Sequence, residues 1–248
     1  MYDPHATWTR LPLAGVPNAR ELGGYPVPGG STQFRRFVRS DSLNRATESD
    51  LRFLYEYGVR SVIDLRDPQE DEYAPDPSLG PDVVCFGSSL LNIDISDMER
   101  IEREIAAGTP DAVQFYRMML NNRRSLREIF TFIANAPEGA VLFHCTVGKD
   151  RTGVISMLLM DLAGCDLWDI VGNYVQTRAN LMRHPHLLAR WAEVRDTPLQ
   201  DLVDSPARTI EATYAMVHEG GRSCEDFLLE CGVDAAALAR VRARLVEP

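Results

Sequence analysis

The stretch AVLFHCTVGKDRTGVISMLLMDLA (140–163) decides how this chain folds. Ala140 to His144 is a short apolar run bounded by Gly139, the pattern of a central strand. Residues 152–163 read as a helix ended by Gly164. Between them lies a loop that contains Gly148. A loop entering a helix N-terminus aims several backbone N–H groups at one point, and the helix dipole adds positive potential there. A phosphate dianion is the natural guest. The same field favours the thiolate of a cysteine placed at that point, and Cys145 stands there.

Cys145 and Arg151 bracket five residues, enough for a semicircle around a tetrahedral oxyanion. Arg151 offers a planar fork that grips two phosphate oxygens. Gly148 lets the backbone approach closely. Thr152 is placed to donate a hydrogen bond to the Cys145 sulfur, and His144 to orient the loop. The other four cysteines serve as a control. Six positions after Cys85, Cys165, Cys224 and Cys231 stand Leu91, Val171, Glu230 and Ala237. Only Cys145 has the arginine, and only it lies between a strand and a helix.

Working outward, the first stretch to about Gly30 is rich in Pro and Gly and reads as loops and turns. Phe34–Arg39, Val59–Leu65 and Val83–Phe86 read as strands. Thr47-Glu48-Ser49-Asp50 resembles a capping box that opens a helix ending at Gly58. Residues 67–81 hold four prolines and read as a surface loop. A helix is expected from Ser96 to Gly108, and a long one from Thr109-Pro110 to Ala136-Pro137. The rest is nearly all helical, with breaks near Pro185, Pro198, Pro206 and Gly220-Gly221. The expected fold is α/β: a central, mostly parallel sheet flanked by helices, with a helical C-terminal half. One domain over residues 1–248 is expected, with the helical layer starting at about residue 165.

The 248 residues carry a formal net charge of −10 and no long Lys/Arg run, so no nucleic-acid partner is expected. The longest apolar run, Val154 to Leu162, is broken by Ser156 and Asp161, so no stable membrane insertion is expected. Five cysteines without a Cys-x-x-Cys pair argue against a disulfide framework. A cytoplasmic protein is expected, with leaderless secretion left open. His184-Pro185-His186 has no Cys or acidic partner nearby, so exposed or capping histidines are expected there rather than a metal site; Gly23-Gly24 and Gly29-Gly30 read as turns, not a dinucleotide fingerprint, and no cofactor is expected.

HCTVGKDRTG (144–153) resembles the signature loop of the protein tyrosine phosphatase superfamily. With NARELGGY (18–25), FVRSDSL (37–43) and VIDLRD (62–67), it is similar to the bacterial tyrosine and dual-specificity branch, which includes lipid phosphatases. The resemblance implies a metal-free phosphomonoesterase acting on phosphotyrosine protein or a phosphoinositide. Cys145 attacks phosphorus and forms a cysteinyl-phosphate. Arg151 and the loop amides of Thr146, Val147, Gly148, Lys149, Asp150 and Arg151 stabilise the equatorial oxygens. An acid protonates the leaving group. No Trp-Pro-Asp occurs. The resemblance makes Asp150 the first choice of acid, Asp94 the second and Asp64 the third. Lys149 is expected to add positive charge at the mouth and to favour doubly phosphorylated or inositol-type substrates. Asp64 and Arg66 read rather as a structural ion pair or as support for the loop, and Arg20 and Arg39 as ties between the N-terminal segment and the core. Two other functions stay open: a phosphate-binding module without turnover, and a sulfurtransferase.

Overall fold

The computed structural model describes residues 9–91, 103, 113–182, 185–197, 200 and 204–246. Its main sheet is built on β7 (Ala140–His144), whose five residues are all buried. A strand with core on both faces reads as a continuous apolar run. β4 (Phe37–Ser40) and β5 (Val59–Asp64) flank it in parallel. β6 (Val84–Gly87) extends the sheet beyond β5, and the two-residue β1 (Arg20–Glu21) closes the other edge antiparallel to β4. The order is β1-β4-β7-β5-β6; β2 (Pro26–Val27) and β3 (Gly30–Ser31) form a separate small hairpin.

Alternate residues of each strand enter opposite cores. Ala140 and Leu142 join Val38, Val59 and Leu54 on one face. Val141 and Phe143 join the C-terminal helices on the other. Leu54 comes from α1 (Glu48–Tyr57), which starts with the expected capping box of Thr47 and Asp50 and ends on left-handed Gly58. The second core centres on α5 (Asp150–Ala163), which is buried nearly all round. A helix apolar on every side has to be surrounded. Around it pack α3 (Val113–Asn121), α6 (Leu167–Leu181), α8 (Ala207–Val217), α9 (Cys224–Glu230) and α10 (Ala235–Leu245). α4 (Arg123–Asn135) packs on α10. α7 (Pro185–Val194) completes the helical half. No helix among the described residues is long and apolar enough to cross a membrane.

Three expectations need correction. The N-terminal segment is not all loop: Arg20 and Glu21 pair with Arg39 and Val38. Residues 67–81 are not all loop either, because Pro68–Tyr73 form the short helix α2. Pro at the first helical position costs no hydrogen bond there. The long helix is two helices broken at Asn122, whose side chain caps α4 at Ser125 N–H and donates to the carbonyls of Ser89 and Leu90. Its expected start at Thr109-Pro110 lies outside the described residues, as does the Ser96–Gly108 helix save Arg103.

The central strand sets the stability. Leu142 has no exposed surface and lies between Val38 and Val62. Leu142→Ala is expected to cost about 2–5 kcal/mol, read as a lower urea midpoint with an unchanged m value.

Candidate active site

The signature loop leaves the C-terminal end of β7, where open parallel sheets place their ligands. Its curvature is held from outside. Asn18 Nδ2 donates to the Val147 and Gly148 carbonyls at 2.8 and 3.1 Å. Arg39 donates to Gly148 O at 2.8 Å, and Ser42 N–H to Thr146 O at 3.2 Å. Arg20 in turn orients Asn18, donating to its side-chain oxygen at 2.7 Å. With the carbonyls bonded outward, the N–H groups of Thr146, Val147 and Gly148 make no hydrogen bond among the described residues. Gly148 has φ +67°, and a Cβ there would fall 2.6 Å from the Ser40 carbonyl carbon. Only glycine fits that turn.

Inside the loop, Thr152 Oγ1 donates to Cys145 Sγ at 3.2 Å, and the cysteine is buried. Arg151 projects toward the α2 segment. Both terminal nitrogens donate to the Glu70 carboxylate, NH2 at 2.9 Å, and NH2 also reaches Thr146 Oγ1 at 3.2 Å. Thr146 Oγ1 donates to Glu70 as well. Burial alone would push the Glu70 carboxyl up; the bonds and charge of Arg151, with the Thr146 hydroxyl, outweigh it and hold it at about 2. Asp67 lies 3.7 Å from Arg151 and accepts from the Ser89 hydroxyl. Burial pushes its carboxyl up despite those partners.

The sequence-derived acids separate. Asp150 opens α5, and its Oδ1 accepts from Tyr116 OH at 2.6 Å. Tyr116 OH also meets Tyr174 OH at 2.6 Å. Asp64 is bound to Arg66 through Nε and NH2 at 2.7–3.1 Å, the structural pair that the sequence suggests. Burial raises the Asp64 carboxyl, but the Arg66 bonds more than offset this and leave it below its ordinary value. Asp94 lies outside the described residues. Lys149 does not face the mouth. It is buried, with Nζ donating to Asp204 O at 2.9 Å and lying 3.3 Å from Asp150. A carbonyl and a carboxylate draw it inward. The His144 ring is buried behind the loop, with Nδ1 3.4 Å from Cys145 O and Nε2 3.2 Å from Asp76 without hydrogen-bond alignment.

Asp64, Asp76 and His144 form the one group among the described residues with metal-ligand proximity. Arg66 already supplies its positive charge, with NH2 2.7 Å from both Asp64 and Asp76. Arg66 also reaches Asp71 at 2.8 Å and Ala74 O at 2.8 Å. It thus pins the α2 segment to the sheet end and brings Glu70 within reach of Arg151. Sequence reading missed Glu70, Asp67, Asn18, Tyr116 and Tyr174. Only Asn18 and Asp67 stood in quoted motifs, and spacing says nothing of pairings across 81 residues.

The chain belongs to the tyrosine phosphatase family, whose model matches residues 11–247. A tyrosine-protein phosphatase of Nostoc commune is 32% identical over 219 residues, covering 84% of this chain and 74% of the relative. The triple specificity protein phosphatase PtpB of Mycobacterium tuberculosis is 25% identical over 262 residues, covering 85% and 91%. Among solved structures, a cysteine-to-serine variant of P. aeruginosa TpbA in complex with phosphotyrosine is 14% identical. It covers 79% of this chain and 86% of that one with a TM-score of 0.33, too loose to bear on the site.

The Glu70–Arg151 pair sets a pH dependence. Because the folded carboxyl is depressed to about 2, its contribution to stability is present above the unfolded value near 4.3 and fades as pH falls toward 2. Glu70→Gln is therefore expected to be less stable than wild type at pH 7, with the gap narrowing between about pH 5 and 3 in urea titrations.

Proposed function

We propose that this chain hydrolyses phosphotyrosine in proteins through a cysteinyl-phosphate on Cys145. The observation that carries the reading is the loop: a sulfur hydrogen-bonded by Thr152, in a turn whose Thr146, Val147 and Gly148 N–H groups make no hydrogen bond among the described residues, with Arg151 beside it. Family membership and the tyrosine-protein phosphatase name of a relative support the substrate. The inward turn of Lys149 removes the reason to favour inositol-type substrates. The cysteines are all free and the hydrophobic core under the helices runs from Leu22 to Leu245, which supports a cytoplasmic, single-domain protein.

In the first step the Cys145 thiolate attacks phosphorus. An S–P bond forms and the bond from phosphorus to the tyrosyl oxygen breaks. Arg151 and the amides of Thr146 to Arg151 take up the charge of the equatorial oxygens. Glu70 and the Thr146 hydroxyl use three of the five donors of Arg151, which leaves two for phosphate. Asp150 gives the leaving oxygen its proton, with Tyr116 fixing the carboxylate. In the second step water attacks phosphorus, Asp150 takes its proton, the S–P bond breaks and inorganic phosphate leaves. The Thr152 hydroxyl steadies the departing thiolate.

p-Nitrophenyl phosphate should be turned over with EDTA present, and Cys145→Ser should lower kcat at least about a thousandfold. Residual turnover near wild type would exclude Cys145 as nucleophile. A sulfurtransferase would instead show thiosulfate-dependent sulfur transfer, and a binding module would hold phosphate without turnover.

General acid catalysis is worth about 10²–10⁴-fold. Asp150→Asn should lose kcat within that range on aryl phosphates with poor leaving groups and much less on p-nitrophenyl phosphate. If Asp150→Asn keeps its rate on both and Asp67→Asn shows this pattern, the acid is Asp67, the carboxyl that burial raises beside Arg151.

A further inference from the structure

Arg20 and Arg39 face each other across the β1–β4 pair, so their side chains leave the same side of the sheet. Arg39 also lies beside Phe143 of β7, and its NH2 is 3.9 Å from where a Cβ on Gly153 would stand. Its guanidinium therefore sits between the sheet and the first turn of α5. The two arginines are 0% and 1% exposed. Burying a guanidinium costs several kcal/mol even after relaxation, and buried charges are normally paired.

Among the described residues no carboxylate forms an ion pair with either. The partners of Arg39 are neutral: Asn173 Oδ1 at 2.7 Å and the carbonyls of Gly148 and Lys149 at 2.8 and 3.5 Å. Its Nε has no hydrogen-bond partner among the described residues. Arg20 bonds Asn18, Asn173 O and Thr177 Oγ1, and Asp41 offers it a more distant opposing charge. Burial pushes Arg39 down to about 10, and the strongest opposing influence is Cys145. Tyr25, Tyr116 and Tyr174 also lie around Arg39, and Arg20 is a like charge facing it.

We propose that Arg39 is the buried counter-charge of the Cys145 thiolate, holding the sulfur ionised from the sheet side of the loop. This rests on Cys145 being the nucleophile. Arg39 is then a positioning residue, since it reaches substrate only through the sulfur. Arg151 and the Thr152 hydroxyl face the same sulfur from α5, and His144 adjoins it from β7. Glu70 and Asp67 neutralise much of Arg151. Arg39 is then a cation near Cys145 with no carboxylate ion pair among the described residues. The arrangement also explains why the strand keeps an arginine where the core is apolar. Its neutral hydrogen bonds offset part of the cost of burial, and the thiolate supplies the opposite charge.

The test is iodoacetamide alkylation of the whole protein, read by peptide mass spectrometry at Cys145 with exposed Cys85 as internal reference. Arg39→Met should slow Cys145 at pH 6 by about tenfold or more, with rates converging to within about twofold at pH 9.5, where thiols ionise unaided. Cys85 should not change. A role confined to bracing the loop predicts otherwise. An unchanged or faster rate at pH 6, or equal slowing at both pH values, overturns the proposal. If Arg39→Met does not fold, Arg39→Lys decides: a pH 6 rate within about threefold of wild type supports it, and greater slowing overturns it. Wild-type Cys145 reacting no faster than Cys85 at pH 6 would instead overturn the nucleophile reading.

Discussion

The constraint on which this structure depends is that the signature loop must turn its carbonyls out so that its N–H groups can point in. Outward carbonyls in a buried place need donors. Asn18, Arg39 and the Ser42 N–H supply them. The donors have to be rigid, and each is: Arg39 and Ser42 lie on or just after β4, and Asn18 is clamped by Arg20, itself tied to α6 at Asn173 and Thr177. The edge strand β1, only two residues long, exists to carry this clamp. Gly148 completes the fit, because the loop passes too close to Ser40 for any side chain.

Charge is arranged in two layers about that loop. On the sheet side lie buried cations with mainly neutral partners. On the solvent side, Arg66 gathers Asp64, Asp71 and Asp76, and through the α2 segment places Glu70 against Arg151. The Arg151 guanidinium is thus fixed by Glu70 in advance, and a side chain already ordered lowers the ordering cost of binding an anion. A net charge of −10 is compatible with binding a phosphate, because the field at the loop is set by these local groups and by the helix dipole.

Much of this was legible in the sequence. The apolar run Ala140 to His144, the loop and the helix to Gly164 were readable because strand, glycine turn and left-handed stop are local signals. So were the Thr47–Asp50 capping box and the Asp64–Arg66 pair. Partners brought together by topology were not. Asn18 meets Val147 across 129 residues, and Glu70 meets Arg151 across 81. The inward course of Lys149 depends on Asp204, which no local pattern announces. The break at Asn122 was hidden for the opposite reason: apolar spacing runs on through it, and only the tertiary bonds of Asn122 to Ser89 and Leu90 end the helix.

The central claim is that phosphate passes through the Cys145 sulfur. Rapid acid quench during turnover of an aryl phosphate, followed by peptide mass spectrometry, tests it directly. The account predicts a phosphate adduct on the peptide carrying Cys145, appearing in a burst and lost when substrate is exhausted. Steady turnover with no such adduct, or with phosphate on another residue, would contradict it.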